Sequence, residues 1–168
     1  RLLERSSLRL ADLRALITDV VDFARMQPSQ IRSDFEVIEP GQIAGEAVEE
    51  VRLAAQQKDI QLKVVGPARF QPLVAARRRL GQVISNLLAN AVKFSPEGST
   101  VQLQIHDEPE ALVLEVMDEG IGIPPEDQGH IFEDFFRAEN AEGFGGAGLG
   151  LSIASKIVNA HDGTIVVT

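Results

Sequence analysis

The sequence predicts a two-layer α/β sandwich, in which helices cover one face of a mixed sheet, preceded by a long bundle helix. Three patterns support this fold class. Residues 1–26 repeat apolar side chains every seven residues, residues 77–95 carry an apolar helical stripe, and residues 100–106 and 111–118 alternate as half-buried strands do. Amphipathic helices and an alternating sheet each bury one side, so they pack most economically face to face.

The first segment has the heptad pattern of a helix that packs in a bundle or coiled coil. Its seam positions are Leu3, Ser6, Leu10, Leu13, Ile17, Val20 and Ala24. A seam sustained over three heptads exceeds the usual globular helix, although an amphipathic helix lying on its own domain is the alternative. We expect residues 1–27 to form this helix, residues 28–34 a polar linker and residues 35–168 the main domain.

The main domain is expected to mix strands and helices along the chain. In order, the patterns predict a strand at 35–38, a helix at 40–58, strands at 61–65 and 70–74, a helix at 77–95, strands at 100–106 and 111–118, a loop-rich stretch with a short Phe-rich helix at 119–146, a helix at 147–161 and a strand at 164–168. Proline and glycine mark the ends: Pro40 opens the first of these helices, and Pro96 with Gly98 ends the second.

Composition limits the classes of partner. The chain has 168 residues, a formal net charge of −9 and no cysteine. The charge argues against nucleic acid, because phosphate backbones select basic surfaces. A bound phosphate would therefore need local devices: a metal ion, a few cations and backbone N–H groups. The missing cysteine fits a reducing compartment. No apolar run approaches the length needed to span a bilayer, so we expect no membrane contact by this chain. The expected location is cytoplasmic, with the cytoplasmic part of a membrane-bound protein as the alternative.

The helix at 77–95 carries the first candidate site residues. Asn86, Asn90 and Lys93 are spaced four and three apart, which puts them on one stripe, away from the apolar one. Amide oxygens are suitable ligands for magnesium, and an ammonium can meet a phosphate as a point charge. The alternative is a polar face that contacts only solvent.

A second group follows the strand at 111–118. Asp118 has the same parity as the apolar strand residues, so it should point to the buried side, where a carboxylate needs a donor such as an adenine amino group. Gly120 and Gly122 remove side chains where a ligand could approach the backbone. The alternative is a strand that simply ends in an acidic turn.

Two further segments complete the set. Residues 143–150 form a glycine-rich run before a helix, which frees backbone N–H groups to face an anion, although a flexible loop is the alternative. Residues 131–137 hold three phenylalanines and Arg137. They form either a small satellite core or an anchor for a mobile lid, with Arg137 able to reach a phosphate.

These four segments, in this order, resemble the N, G1, F and G2 boxes of sensor histidine kinases, a family in the superfamily of gyrase, the Hsp90 chaperones and MutL. The match covers about residues 79–163. Residues 1–26 resemble the second helix of the family's dimerisation and histidine-phosphotransfer hairpin, on the heptad and the stretch from Asp19. The resemblance implies a Bergerat-type ATP-binding fold, with ATP and Mg²⁺ as cofactors.

The resemblance also implies a role for each matching residue. Asn90 would bind magnesium with Asn86 beside it, Lys93 and Arg137 would stabilise charge on the phosphoryl group, and Phe94 would flank the adenine. Asp118 would take the adenine amino group. The remaining nucleotide contacts implied are Gly120, Gly122, Ile123, Gly146, Gly148, Leu149 and Gly150, beneath a lid at about 138–145.

Two departures from the family pattern affect these expectations. Glu119 stands where the family usually has Asn, so we expect its carboxylate to point away from an anionic ligand. The lid is short and glycine-rich, which leaves open whether it is ordered without nucleotide.

Position 86 distinguishes the branches of the superfamily. Gyrase-like ATPases resemble this helix but have a glutamate there as general base for water, and Asn86 cannot abstract a proton. The resemblance thus favours transfer of the γ-phosphoryl group to a protein histidine over hydrolysis. An ATPase or chaperone of the same superfamily, or a nucleotide-binding module without kinase activity, are the alternatives.

The acceptor histidine is expected outside this chain. His106, His130 and His161 do not follow the family's acceptor pattern, so we expect all three to be structural and the acceptor to lie upstream of Arg1. The partners implied are the protein's own phosphotransfer domain, a response regulator receiver domain and a second copy, joined through the hairpin.

Overall fold

The computed structural model describes residues 17, 20, 21, 23, 24 and 26–168. Within residues 26–168 the elements follow one another as α1 (Pro28–Ser33), β1 (Phe35–Ile38), α2 (Pro40–Gln57), β2 (Gln61–Val65), β3 (Leu73–Ala76), α3 (Arg77–Phe94), β4 (Thr100–Asp107), β5 (Leu112–Asp118), a 3₁₀ turn (Glu139–Ala141) and α4 (Gly150–Ala160).

The sheet is mixed, as predicted. Strand β4 lies between β2, which runs parallel to it, and β5, which runs antiparallel, and β1 pairs antiparallel with β3 in a separate two-stranded sheet. Alternation along β4 buries Val101, Leu103 and Ile105 under α2 and α3. The predicted α/β class, with helices packed on a mixed sheet, is confirmed.

Helix α3 forms where its apolar stripe predicts. Ile84, Leu88, Ala91 and Val92 are buried against the sheet and α2, so another side of the helix is left for polar residues. The helix ends at Phe94, because Pro96 lacks the N–H that would continue the hydrogen-bond ladder. This orientation decides where the candidate site lies.

A second core forms around α4. It joins Ile31 of α1 and Val83 of α3 to Leu149, Ile153 and Ile157, with Phe23 and Met26 packed at its edge. The segment predicted as a polar linker is therefore helical and part of the packing. Pro28 occupies the first turn of α1, where its missing N–H costs nothing, and Ile31 is 2% exposed.

Two predicted strands differ from the structure. The strand expected at 70–74 runs from Leu73 to Ala76, because Pro72 cannot donate to a ladder. The strand expected at 164–168 does not form, since no strand in residues 26–168 pairs with that segment or with the second edge of β5. Without a neighbour for its N–H and C=O groups, an alternating sequence is not a strand.

Two predicted helices also differ. The helix expected from residue 147 starts at Gly150, because Gly146 and Gly148 adopt positive φ angles of 115° and 72°. The short Phe-rich helix expected within 119–146 is replaced by turns and the 3₁₀ turn, and Phe135 has a φ of 64°, which a right-handed helix excludes.

The heptad helix lies mostly outside the described residues. Of its seam positions, Ile17 and Val20 are helical and exposed, and the other described one, Ala24, is exposed too. The bundle packing stays a prediction. None of the helices in the part of the chain that the structure describes is long and apolar enough to cross a membrane.

Candidate functional site

A single open cleft of about 1320 Å³ brings together all the residues that the sequence singled out for the nucleotide. It lies between α3, the end of β5, the loop 119–149 and the start of α4. Its lining includes Asn86, Asn90, Lys93, Phe94, Asp118, Gly120, Gly122, Ile123, Arg137, Gly146, Gly148, Leu149 and Gly150. Four segments that are far apart in the sequence therefore share one surface.

The polar stripe of α3 faces the first turn of α4. Asn86 donates from Nδ2 to the carbonyl of Gly150 at 3.0 Å, which joins the two helices. A Cβ on Gly150 would lie 3.8 Å from Nδ2 of Asn90, so the two amides are neighbours at this helix start. Asn86 and Asn90 are both half-buried, in a cleft and not on an open solvent face.

Lys93 is a cation that lies beside the glycine run. Its Nζ lies 4.5 Å from the ring centroid of Phe94 and 3.0 Å from the position that a Cβ on Gly146 would take. Burial, and then the nearby Arg137 guanidinium, hold the pKa of Lys93 below its usual value. Both causes penalise the positive charge, and a bound anion would offset that penalty.

Asp118 ends β5 at the mouth of the cleft. Its register partner is Val101, and Oδ1 accepts the N–H of Gly120 at 2.8 Å. The side chain was predicted to point to the buried side, but it is exposed, because the core-facing side of β5 opens into the cleft at this end. Glu119 accepts the N–H of Thr100 at 3.1 Å, so its carboxylate is held on the backbone of β4.

Glycine is required where the loops approach other backbone. A Cβ on Gly120 would lie 3.0 Å from the carbonyl oxygen of Phe94, so this residue lets the loop pack on the end of α3. A Cβ on Gly148 would overlap the carbonyl of Phe136. At these two positions the missing side chains permit close packing of protein on protein as well as the predicted approach of a ligand.

The lid has a defined conformation of its own. Arg137 donates from Nη2 to the carbonyls of Ala141 at 3.0 Å and Phe144 at 2.5 Å, so its guanidinium holds the lid backbone. Asn140 donates from Nδ2 to the carbonyl of Gly122 at 3.0 Å. The ring of Phe144 lies 5.0 Å from that of Phe94.

Sequence reasoning missed Asn140 and Phe144, although a phenylalanine inside a glycine-rich run was a visible signal for the second. It also missed Lys58, whose Nζ reaches the end of α3 from α2. No local pattern marks Lys58, because its partners are main-chain carbonyls more than thirty residues away.

All three histidines have partners within the protein. His161 accepts the N–H of Ala76 at Nε2, at 3.0 Å, and lies 2.8 Å from the carbonyl of Ile157 at Nδ1, with its ring stacked on Phe35. His106 contacts Glu115, and His130 contacts Glu133. These contacts support the expectation that the histidines are structural.

Comparison with known proteins gives a consistent result. A family model described as histidine kinase-, DNA gyrase B- and HSP90-like ATPase matches residues 75–168. The chain is 33% identical over 159 residues to the sensor-like histidine kinase SenX3 of Mycobacterium tuberculosis (strain ATCC 25618 / H37Rv), covering 94% of this chain and 38% of SenX3. The chain therefore spans about two fifths of that relative.

Solved structures show the same fold. The mycobacterial sensor histidine kinase MprB superposes with a TM-score of 0.65 at 30% identity, over 76% of this chain and 80% of that one. Full-length ShkA, solved in complex with AMPPNP, superposes with a TM-score of 0.74 at 28% identity, over 92% of this chain and 33% of ShkA.

Proposed function

The chain belongs to the family of histidine kinase-, DNA gyrase B- and HSP90-like ATPases, and on that premise we propose that it is the nucleotide-holding part of a sensor histidine kinase, binding ATP together with Mg²⁺. The observation that carries the proposal is the convergence of the α3 polar stripe, Asp118 and the glycine run on one cleft. The complex of ShkA with AMPPNP gives it further support.

The cleft suits a triphosphate although the protein is acidic. Lys93 is half-buried beside a second cation, and Gly146 and Gly148 use positive φ angles to bring their backbone past it into α4. A polyanion relieves the repulsion between the cations and meets N–H groups at the helix start. These local devices act regardless of the net charge.

The α3 stripe suits magnesium. Asn86 donates an N–H to the carbonyl of Gly150, so its amide oxygen can coordinate the ion, and the amide of Asn90 is adjacent. Amide oxygens, water and phosphate oxygens are the hard ligands that Mg²⁺ takes. When bound, the ion neutralises charge that develops on the phosphate oxygens.

The protein's own residues orient the nucleotide. One oxygen of Asp118 is held by Gly120, so the other can accept the adenine amino group, and Phe94 flanks the ring. Lys93 stabilises negative charge on the phosphoryl group. Arg137 joins it when the guanidinium exchanges the lid carbonyls for phosphate oxygens.

The reaction proposed is transfer to a histidine outside these 168 residues. The bond from the γ-phosphorus to the bridging oxygen breaks and ADP leaves, while the phosphorus bonds the unprotonated nitrogen of a neutral imidazole. The proton on the other ring nitrogen is then released to water. A response regulator aspartate then takes the group. Asn86 favours this over hydrolysis, because an amide tied to Gly150 cannot activate water.

Partners follow from the same proposal. The imidazole belongs to the protein's own phosphotransfer domain, and the hairpin that includes residues 1–27 joins two copies. The part described here then works on the cytoplasmic side of the sensor.

Calorimetry with ATP tests the site. We expect Asn90→Ala to abolish magnesium-dependent binding while circular dichroism stays unchanged, because an amide ligand is lost without a core contact. Asn159→Ala, an exposed amide on α4, is the matched control and should bind as the wild type does. Equal ATP affinity of Asn90→Ala and wild type in magnesium would remove the metal assignment.

A transfer assay tests the kinase. The chain, with ATP and magnesium, is expected to transfer an acid-labile phosphoryl group to an added, purified phosphotransfer domain that carries the acceptor histidine. ATP binding without transfer to that domain would favour a nucleotide module without kinase activity. Steady release of free phosphate by the chain alone would favour an ATPase.

A further inference from the structure

The last turn of α3 carries Lys93 and Phe94 into the cleft. The N–H of Ser95, just past the helix end, bonds the carbonyl of Ala91, but the carbonyls after Ala91 need other donors. The final carbonyls of a helix have no intrahelical partner, and a following N–H commonly satisfies them. Here Pro96, two residues past the helix end, has no N–H to give. Something outside the helix must satisfy these carbonyls.

Lys58, at the end of α2, supplies the missing donors. Its Nζ donates to the carbonyls of Val92 at 2.8 Å, Lys93 at 2.9 Å and Ser95 at 2.5 Å. One ammonium has three N–H groups, so all of them are used. A positive charge also interacts favourably with the negative end of the helix dipole.

The backbone of Lys58 is fixed by hydrogen bonds at both its N–H and its carbonyl. Its N–H donates to the carbonyl of Ala55 at 3.1 Å, and its carbonyl accepts the N–H of Gly98 at 3.0 Å. Ala55 is fully buried. The backbone that carries the Lys58 side chain is therefore fixed by hydrogen bonds.

The same turn is bounded on its other side by the candidate site. The loop at Gly120 packs on the carbonyl of Phe94, and Phe94 in turn contacts Lys93 and Phe144. Movement of the turn would thus displace the phosphate-facing cation and the base-flanking ring together.

We propose that Lys58 is a positioning residue for nucleotide binding, which fixes the last turn of α3 so that Lys93 and Phe94 meet the ligand. The inference rests on the proposed function of the cleft. Lys58 acts through the main-chain carbonyls of α3 and does not line the cleft itself.

The test compares ATP affinity in magnesium, by calorimetry at a temperature where every variant is fully folded. Lys58→Met keeps the side-chain stem but removes the ammonium, and we expect its affinity to fall about tenfold, as for typical couplings between separate groups. Lys58→Arg restores the charge and several donors, so it should recover most of the loss. Lys63→Met, an exposed lysine on β2, should not change the affinity.

A stability-matched control separates positioning from loss of stability. Ile105 is buried at the far end of β4 from the site, and Ile105→Val or Ile105→Ala is chosen to match the Tm of Lys58→Met. This control should bind ATP as the wild type does. Wild-type affinity in Lys58→Met, or an equal loss in the Ile105 control, would overturn the inference.

Amide hydrogen exchange distinguishes this proposal from the function on which it rests. If the wild type binds no ATP, the proposed function fails. Faster exchange at the amides of Phe94 and Ser95 in Lys58→Met would then still support the hold of Lys58 on the turn, and unchanged exchange there would contradict it.

Discussion

At the scale of single residues, Lys93 shows the conflict between binding and stability in this cleft. Its ammonium is held in a half-buried position beside Arg137, and both features penalise its positive charge. A lysine is normally exposed, so a half-buried lysine beside a second cation is expected at a functional site, where binding a ligand offsets the penalty. In the function proposed above, that gain is contact with phosphate.

The first prediction concerns the charge on Lys93. Because the folded pKa is lowered, the unfolded chain binds the proton more readily, and the penalty is fully present at neutral pH. It is lost as pH rises through the folded pKa towards the unfolded value. Lys93→Met should therefore raise Tm by about 1–2 °C at pH 7, an effect limited by solvent screening, and weaken ATP binding.

Thermal unfolding at a series of pH values measures this effect. The Tm difference between Lys93→Met and wild type should shrink as pH rises past the ordinary lysine pKa of 10.5, because the lysine then becomes neutral in the unfolded state as well. A lower Tm for Lys93→Met at pH 7, or a difference that grows at high pH, would contradict the sign of the charge penalty.

Asp118 is the residue that reads the base in our proposal. Asp118→Ala should weaken ATP binding by about tenfold or more, which is the contribution of a hydrogen bond to a charged group. GTP binding should weaken less, because guanine has no amino donor at that ring position. Competition binding with both nucleotides measures the two losses. Asp118→Asn is the control that keeps an oxygen for Gly120 but can present an N–H to guanine. Equal losses for ATP and GTP in Asp118→Ala would exclude the assignment.

At the scale of elements, the lid packs on the protein's own residues. Arg137 holds two lid carbonyls, Asn140 holds the loop at Gly122, and Phe144 contacts Phe94. The ring centroids of Phe94 and Phe144 are 5.0 Å apart, which leaves no room for a base between them. A base that stacks on the face of Phe94 next to Phe144 would therefore have to displace the Phe144 ring.

Phe144→Ala tests that competition. An aromatic pair contributes about 0.5–1.5 kcal/mol beyond its buried area, so removing it should tighten ATP binding by roughly twofold to tenfold. Stopped-flow measurement should show faster association. Leu53→Ala, an exposed residue on α2, serves as the control. Weaker binding by Phe144→Ala would mean that the ring covers the bound base instead of competing with it.

At the scale of the whole molecule, the segment before β1 is part of the domain. Ile31 is buried with Leu149 and Ile153, and the ring of Phe23 lies between Phe135, at 6.0 Å, and the ammonium of Lys156, at 3.6 Å. Because of these contacts, motion of this segment would displace α4 and the residues that precede the lid.

Ile31→Ala tests this integration. Loss of a buried isoleucine costs about 2–5 kcal/mol, roughly 5–15 °C in Tm for a domain of this size. Val37→Ala, which is 71% exposed on β1, should leave Tm nearly unchanged. A Tm change in Ile31→Ala as small as that of the control would support the linker that the sequence predicted.

The sequence by itself determined the fold class, the bounds of β1 and β2, those of α2, α3 and β4 to within a residue, and the four segments that line the cleft. These depend on local periodicity and on residue types with few alternatives: apolar stripes, amides on one helix face and glycines with positive φ. Such signals are complete within a short stretch of chain, so a reader of the sequence can find them.

Only the tertiary structure decided how those segments are held. Ile31 turns a predicted linker into a packed helix, and Lys58 caps a helix across more than thirty residues. Arg137, predicted to reach a phosphate, donates to carbonyls of the lid. The strand expected at 164–168 does not form without a neighbour to pair with. Each outcome depends on a partner distant in sequence, and in several cases that partner is a main-chain carbonyl. Because every residue has the same carbonyl, no local sequence pattern can reveal such a contact.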